Sequence, residues 1–363
     1  MTVLQNEASE IRTTAQMSCP VCGNTGELVY SGLHDVLFGA PGKWQMRRCN
    51  SSDCELHWLD PRPRQEDLGK AYAHYYTHAN SAVTEPPRSS LKNLAWAMYS
   101  IALDGYLQLR YGYTQGVGSR WHVLLTPIGF LFPTAFWLAD HEASFLPAPR
   151  PGARLLEVGC GTGEQLERKR HLGWQAEGLD LDPDAVAVAR QRGLQVAVGS
   201  LADQHYPSCT FEAINLTHVL EHVLEPRALL VEIERILTPG GLLVVETPNA
   251  KSWGHRLFRR GWRGLEPPRH VTLFTRKAIR RVCGEAGFEV LSIFTCPRIA
   301  RFIWNHSVNH PESPPITHFA RALPAGLAFE QLERIGIRFS ADAGDELVVV
   351  ARKRLAGAVS EPW

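Results

Sequence analysis

The most restrictive feature of the 363-residue sequence is a glycine-rich turn that directly follows a short apolar segment. Residues 155–163 read LLEVGCGTG, with glycines at 159, 161 and 163. Glycine adopts positive φ without strain and carries no Cβ, so the backbone can turn sharply and a ligand can approach it closely. The segment after Gly163 lacks helix breakers until Gly173. The pattern therefore predicts a strand, a ligand-binding turn and a helix in immediate succession.

From residue 153 onward, short segments rich in β-branched residues alternate with helical patterns. Such alternation implies crossover connections and a mostly parallel sheet with helices on both faces. We therefore predict an α/β fold for residues 151–363. The predicted strands are 154–158, 175–180, 194–199, 211–217, 242–246, 288–295 and 346–351, and the predicted helices are 183–192, 226–237 and 276–286.

The charges around the glycine turn indicate the kind of ligand. Position 164 is Glu, so the G-x-G-x-x-G dinucleotide fingerprint is not met. Glu157 and Glu164 flank the turn with negative charge, which repels a phosphate and suits a cation. Asp180 ends the second predicted strand about 20 residues further on, where an acid can accept hydrogen bonds from a ribose. These residues favour a cationic ligand that carries a ribose.

Several segments together resemble class I S-adenosylmethionine-dependent methyltransferases. They are E-x-G-x-G-x-G at 157–163, GLD at 178–180, LEHV at 220–223, LTPGG at 237–241 and ETPN at 246–249. The likeness covers residues 153–295. It implies a Rossmann-like, seven-stranded, mostly parallel sheet and S-adenosylmethionine as cofactor.

The resemblance also implies roles for individual residues at the cofactor. Glu157, Gly159, Gly161 and Gly163 would hold the methionine part, and Asp180 would bind the ribose hydroxyls. Ser200 and Leu201 would lie near the adenine, although the family commonly has an Asp where this sequence has Ser200. The remaining residues implied at the cofactor are Cys160, Leu181 and Thr217.

Four of the eight cysteines, Cys19, Cys22, Cys49 and Cys54, fall within a short N-terminal stretch. Two thiolate pairs presented by tight turns can form a closed tetrahedral zinc site, whose role is structural. His57 is an alternative fourth ligand, and unrelated free thiols are the other interpretation. A thiolate metal site indicates a reducing, cytoplasmic compartment. The stretch resembles the zinc ribbon of a subset of these methyltransferases, many from sugar or cell-surface pathways. We predict a zinc-ribbon domain at 1–65, a helical lid at 66–150 and the catalytic domain at 151–363.

Candidate catalytic residues follow the fourth predicted strand of the α/β region. His218, Glu221 and His222 have the spacing of one helical face, and His222 is a candidate general base because imidazole titrates near neutral pH. His270 is a second candidate base. The segment also resembles the metal-binding E-x-x-E-H of ubiquinone-biosynthesis O-methyltransferases, with His218 in place of the first acid. The alternatives are thus a base, a divalent metal site at these three residues, or a histidine that only packs.

A strongly basic segment follows the fifth predicted strand. Residues 250–281 contain ten Lys or Arg residues and one acid, Glu266, although the whole chain has a net charge of only +1. Part of this segment, 250–275, corresponds to the acceptor loop of class I enzymes. The charge predicts an anionic acceptor such as a nucleotide sugar or lipid-linked sugar, with Trp253 and Trp262 offering flat faces. The alternative is a solvated helix face. The neutral overall balance argues against nucleic acid as a partner.

Residues 123–139 contain no charged side chain. The run is too short, and too interrupted by Pro127 and Pro133, for a membrane span. The default prediction is a buried helical hairpin with residues 91–109, where Leu91, Leu94, Met98, Ile101 and Leu109 recur at roughly helical spacing. The alternative is a helix bound at a membrane surface.

Together these observations predict a cytoplasmic methyltransferase acting on a hydroxyl of a sugar on an anionic carrier, with peripheral membrane contact left open. The first residues contain Glu7 and Glu10 and no apolar core, so a signal peptide is not indicated. Two alternatives stay open: an O-methyltransferase of a small aromatic or natural product, and a noncatalytic zinc-ribbon binding module on a degenerate methyltransferase fold. The sequence leaves the oligomeric state open.

Overall fold

The fold is described from a computed structural model that covers residues 10–73, 90–131, 135–315 and 325–355, with side chains at 90–96, 131 and 135 left out. The predictions for residues 1–9, Pro133, Leu91 and Leu94 lie outside this description. The strands are β1 Thr13–Thr14, β2 Gly26–Leu33, β3 Trp44–Cys49, β4 His57–Leu59, β5 Arg62–Pro63, β6 Arg154–Val158, β7 Gln175–Asp180, β8 Val196–Val198, β9 Phe211–Thr217, β10 Leu237–Pro248, β11 Thr272–Leu273, β12 Phe288–Cys296 and β13 Glu346–Lys353.

The α-helices alternate with the strands of the second half of the chain. They are α1 Ser90–Tyr111, α2 Ala135–Glu142, α3 Glu164–His171, α4 Pro183–Gln191, α5 Pro226–Ile236, α6 Trp253–Phe258, α7 Arg276–Glu285, α8 Ala300–Ser307 and α9 Ala325–Gly336. Local signals place several of their N-termini. Asp182 caps α4 through a hydrogen bond from the Asp184 N–H, and Thr275 caps α7 through one from the Ala278 N–H.

The central sheet has seven strands in the order β12-β13-β10-β9-β6-β7-β8. β6 pairs in parallel with β7, and β7 pairs in parallel with β8. β12 and β13 pair antiparallel. The predicted α/β fold with a seven-stranded, mostly parallel sheet is therefore confirmed. One boundary differs, because β10 runs through the Pro239-Gly240-Gly241 segment that was predicted to end a helix before a separate strand.

The cysteine-bearing segment forms a four-stranded antiparallel sheet in the order β11-β4-β3-β2. Its edge strand β11 comes from residues far along the chain. Trp44 and Met46 of β3 are fully buried in one hydrophobic cluster with Phe258, Trp262 and Leu273. The small sheet therefore shares its core with residues 250–308 and does not enclose one of its own.

Two residues of the predicted apolar face of α1 are exposed, and a third, Ile101, is partly buried. Met98 and Leu109 are 38% and 61% exposed, whereas Leu103 and Leu107 are buried against Ala139, Ala143 and Leu172. This region has apolar residues on all sides, so helical spacing alone could not select the buried side. A 3₁₀ helix, Arg120–Leu131, packs closely on α1.

The described residues belong to two compact units. One contains residues 10–73, 216–234, 245–315 and 325–354, and the other contains residues 90–131, 135–215, 235–244 and 355. These units do not coincide with the predicted division at 65 and 150, which stays a prediction. Among the described residues, no helix combines the length and hydropathy required to cross a bilayer.

Candidate functional site

The glycine turn after β6 uses all three glycines in the left-handed region. Gly159, Gly161 and Gly163 have φ values of 73°, 52° and 83°. A Cβ on Gly163 would lie 2.3 Å from the Leu194 Cδ1, so this position also needs the absent side chain for packing. A Cβ on Gly161 would meet nothing within 4 Å, so the backbone here faces open space. The turn therefore presents bare backbone that a ligand can approach.

Asp180 at the end of β7 fixes the turn. Its carboxylate accepts hydrogen bonds from the Gly161 N–H at 2.7 Å and from the Asp182 N–H at 2.9 Å. Burial raises the pKa of Asp180, and the hydrogen bonds from these backbone amides oppose that shift. Each carboxylate oxygen retains a further lone pair, so the group can accept from ribose hydroxyls as well.

Glu157 lies within the sheet and forms a buried ion pair. The Lys169 Nζ lies 3.2 Å from its Oε1, and the two side chains are 4% and 2% exposed for Glu157 and Lys169 respectively. The other oxygen, Oε2, is buried with no hydrogen-bond partner. A buried carboxylate oxygen without a donor is costly, and the amino group of a bound ligand would satisfy it. This orphaned atom fits the cationic ligand predicted for the turn.

The other predicted cofactor residues contribute unequally. Leu181 is 72% exposed, as an apolar contact for a ligand requires, whereas Leu201 is buried. The Cys160 side chain packs inward, 2.6 Å from where a Cβ on Gly178 would lie, so only its backbone faces the turn. The Thr217 hydroxyl donates to the Glu246 carboxylate at 3.2 Å.

Ser200 forms hydrogen bonds with Asp203, a residue that the sequence analysis did not identify. Its N–H and its hydroxyl both donate to the Asp203 Oδ2, at 2.9 and 2.6 Å. These hydrogen bonds lower the pKa of the exposed Asp203. A carboxylate is therefore present beside position 200 although the sequence has Ser there, and the Ser-x-x-Asp spacing was the signal that could have revealed it.

The cysteines Cys19, Cys22, Cys49 and Cys54 lie together, with all Sγ atoms within 4.8 Å of one another. The Sγ atoms of Cys19 and Cys54 are 3.7 Å apart, and those of Cys22 and Cys49 are 3.3 Å apart. Zn–S bonds of about 2.3 Å in a tetrahedron bring sulfurs to about 3.8 Å, so the quartet fits a closed zinc site. The hydrogen bond from Cys54 lowers the pKa of the Cys19 thiol to about 5. The alternative ligand His57 is buried beside His255 and lies outside this group.

A second group that could hold a metal is formed by Glu221, His222 and His270. Their ligand atoms lie within 4.8 Å of one another, and the two imidazole rings meet edge to face at 4.7 Å. His218 lies outside this group, and its place is taken by His270 from a different part of the chain. The predicted one-face arrangement of His218, Glu221 and His222 is therefore replaced by a cluster built from two segments.

Backbone carbonyls set the tautomers of both histidines. The Nδ1 of His222 lies 3.0 Å from the Arg269 carbonyl oxygen and 2.9 Å from the Tyr72 hydroxyl oxygen. The Nδ1 of His270 lies 2.7 Å from the Gly264 carbonyl oxygen. A carbonyl oxygen only accepts, whereas a hydroxyl can accept as well as donate, so a proton on each Nδ1 satisfies all of these contacts. In that tautomer each Nε2 presents a lone pair. Burial lowers the pKa of His270 to about 4, which keeps it neutral at physiological pH. Both rings are thus arranged to accept a proton or to coordinate a metal.

Glu221 is ionised by its neighbour His218. Its Oε1 accepts from the His218 Nδ1 at 3.1 Å, and its Oε2 accepts from the Thr247 hydroxyl at 2.9 Å. Burial favours the neutral acid, but the hydrogen bond and charge of His218 lower the pKa of Glu221 to about 2. Burial similarly opposes the charge of His218, but Glu221 and Glu346 raise its pKa to about 10. His218 therefore acts as a fixed cation that holds Glu221 in place.

Most cations of the basic segment already pair with carboxylates. Arg269 is fully buried and donates to Glu266 and Asp35, both at 2.8 Å. Lys251 pairs with Glu55, and Arg260 pairs with Glu312. The predicted basic surface, and the alternative of a solvated face, are therefore wrong for Arg269, whereas Lys251 and Arg260 stay partly exposed with their charges matched. Binding of an anion by this segment stays a prediction. The exposed arginines of the segment include Arg256, Arg259 and Arg280.

Trp262 is a core residue. It is 1% exposed, stacks on His255 with ring centroids 4.6 Å apart, and donates its Nε1–H to Asp345 at 3.0 Å. It offers no face to a sugar, which corrects the prediction for this residue. Trp253 is partly exposed.

Residues 136–293 match the family described as a methyltransferase domain. Over 107 residues the chain is 39% identical to a ubiquinone biosynthesis O-methyltransferase from Xanthomonas oryzae pv. oryzae, an alignment that covers 27% of this chain and 44% of the relative. The corresponding protein of Xylella fastidiosa is 37% identical over 111 residues, covering 28% of this chain and 44% of the relative. The chain therefore spans less than half the length of these curated relatives.

Solved structures of similar proteins include an S-adenosylmethionine-dependent methyltransferase from Mesorhizobium loti. It is 19% identical, with a TM-score of 0.42, and the match covers 59% of this chain and 96% of that one. A second is the [4+2]-cyclase SpnF, which is 22% identical with a TM-score of 0.44 and is matched over 72% of this chain and 95% of that one.

Proposed function

We propose that this chain is an S-adenosylmethionine-dependent methyltransferase that transfers a methyl group to a hydroxyl. The observation that carries the proposal is the glycine turn, with open space at Gly161 and the Asp180 carboxylate bound to its backbone. The methyltransferase-domain match over residues 136–293 supports the same assignment. The names of the relatives, O-methyltransferases, support oxygen as the atom that is methylated.

The residues at the turn fit the cofactor. Glu157, with its orphaned oxygen, would receive the amino group, Asp180 the ribose hydroxyls, and Leu181 an apolar face. When bound, the cofactor supplies an electrophilic methyl group on a positively charged sulfur. Negative charge from Asp180 complements that charge, whereas the charge of Glu157 is already matched by Lys169.

His222 is the general base that we propose for the acceptor hydroxyl. Its Nδ1 proton is directed to the Arg269 carbonyl, so its Nε2 is the atom that would take the hydroxyl proton. It is partly exposed, whereas His270 is buried. Removing such a base lowers a rate by about 10²- to 10⁴-fold. We therefore expect His222→Ala to reduce kcat at least about a hundredfold, while His306→Ala, at an exposed histidine of α8, leaves it unchanged.

A divalent metal held by Glu221, His222 and His270 is the second candidate role for this cluster. The specific observation is that one ring nitrogen of each histidine and a carboxylate oxygen of the ionised Glu221 lie within 4.8 Å of one another. Two histidines and one carboxylate are a known donor set for divalent transition metals. A bound metal would polarise the acceptor oxygen. Metal analysis of purified protein distinguishes the roles, because His270→Ala abolishes binding at a metal site but leaves the metal content unchanged if His222 acts alone.

The acceptor that we propose to test first is a sugar hydroxyl on an anionic carrier, which rests on the exposed Arg256, Arg259 and Arg280. The protein would be incubated with methyl-labelled S-adenosylmethionine and a panel of nucleotide sugars, lipid-linked sugars and phenols. Label transferred to phenols only contradicts the sugar acceptor and supports a small aromatic substrate. Cofactor binding without transfer to any hydroxyl supports a noncatalytic binding module. The four cysteines would hold a structural zinc ion in either case.

A further inference from the structure

An apolar ridge runs along the 3₁₀ helix Arg120–Leu131. Trp121, Leu124 and Phe130 are 53%, 78% and 78% exposed, and Pro127 between them is also exposed. They recur at every third position, and a 3₁₀ helix has three residues per turn, so these four side chains align on one side. At a rise of about 2 Å per residue the row is about 18 Å long. We propose that this ridge inserts into the surface of an anionic lipid bilayer.

The helix is anchored to the protein by its other sides. Thr126 and Gly129 are buried. On α1, Gly105 lies so close that a Cβ there would be 2.3 Å from the carbonyl oxygen of His122. The other sides of the 3₁₀ helix therefore pack on the protein, and the ridge side chains are exposed on a helix that is firmly attached.

The charges beside the ridge complement anionic headgroups. Arg120 is exposed immediately before Trp121. Asp104 is the one acid of residues 97–131, and its carboxylate accepts from the Gly118 N–H at 2.9 Å and lies 3.3 Å from the His122 Nδ1. Arg120 thus places an exposed cation next to Trp121 at the N-terminal end of the ridge, although not in the row itself. Arginine and tryptophan side chains are the ones that meet membrane headgroups.

The shape of the ridge favours a bilayer over a folded protein as the occupant. A stable protein interface buries about 800 Å² on each partner. One row of four side chains, about 18 Å long and one side chain wide, covers much less area than that. A fluid lipid surface accommodates such a row, and apolar side chains at an interface enter the headgroup–acyl boundary by about 5–10 Å.

Vesicle co-sedimentation of the 363-residue chain tests the proposal. Vesicles of phosphatidylcholine with phosphatidylglycerol are compared with vesicles of phosphatidylcholine alone. We expect Leu124→Ser/Phe130→Ser to lower partitioning into the mixed vesicles at least about tenfold, because each buried apolar side chain contributes about that factor. The matched control, Leu291→Ser/Leu332→Ser, changes leucines that are 45% and 57% exposed elsewhere and should leave partitioning unchanged.

Arg120→Gln tests the contribution of charge separately, because it leaves the apolar row intact. It should reduce partitioning about fivefold on the mixed vesicles and have little effect on neutral ones. Equal sedimentation of the wild type and the serine double variant overturns the proposal. The proposal is also overturned if the wild type is a dimer without lipid in analytical ultracentrifugation and the serine double variant is a monomer. The ridge would then bind a second copy of the chain.

Discussion

Glu157, in the strand directly before the glycine turn, forms a buried ion pair with Lys169, and we expect this pair to matter for the stability of the fold. Lys169→Met would retain the length of the side chain and remove its charge. The two side chains are 4% and 2% exposed, so the variant leaves a carboxylate uncompensated in the interior. Removing one partner of a buried pair costs about 3–5 kcal/mol. We expect the free energy of unfolding, measured by urea denaturation, to fall by that amount.

Two further variants make this prediction specific. Arg48→Met removes an exposed partner, since the side chains of Arg48 and Glu27 are 49% and 52% exposed, and should cost less than about 1 kcal/mol. Glu157→Gln/Lys169→Met removes both charges of the buried pair and should recover about half of the loss. A loss below about 1 kcal/mol in Lys169→Met would refute the assignment of a buried, uncompensated charge.

Three other predictions address the metal, the interior acids and the cofactor. Cys54→Ser should lower bound zinc from about one ion per chain to near zero in native mass spectrometry, and full retention of zinc contradicts the four-thiolate site. Burial, followed by the charge of the neighbouring Asp345, raises the pKa of Glu333 from 4.5 to about 11. The protonated side chain therefore stabilises the fold fully below pH 4.5, and this contribution decreases as the pH rises toward 11. Glu333→Gln should therefore gain stability over the wild type in urea denaturation as pH rises from about 5 to about 9, and parallel pH profiles contradict this. Asp180→Ala should weaken binding of S-adenosylmethionine at least about tenfold in calorimetry, and unchanged affinity removes the ribose assignment.

Local rules were sufficient to predict the strand–turn–helix at 154–171. Three glycines at alternate positions require left-handed backbone, and Gly159, Gly161 and Gly163 all adopt it. Helix caps such as Asp182 likewise follow from neighbouring residues. The extension of β10 through Pro239 does not follow from local rules, because pairing in the sheet overrides the breaker residues there.

Long-range pairing explains what could not be predicted. The ten cations of 250–281 suggested a basic surface, but Arg269 and Lys251 are matched by Asp35 and Glu55, which lie some two hundred positions earlier in the chain. For the same reason spacing could not assemble Glu221 and His222 with His270, which belongs to another segment. A single sequence shows such neighbours only when they are close along the chain.

Binding of S-adenosylmethionine to the glycine turn is the central claim, and titration calorimetry on the 363-residue wild-type chain measures it directly. The structure predicts saturable binding at one site per chain, which Asp180→Ala weakens. If the folded wild-type protein shows no measurable binding of S-adenosylmethionine, the central claim is contradicted.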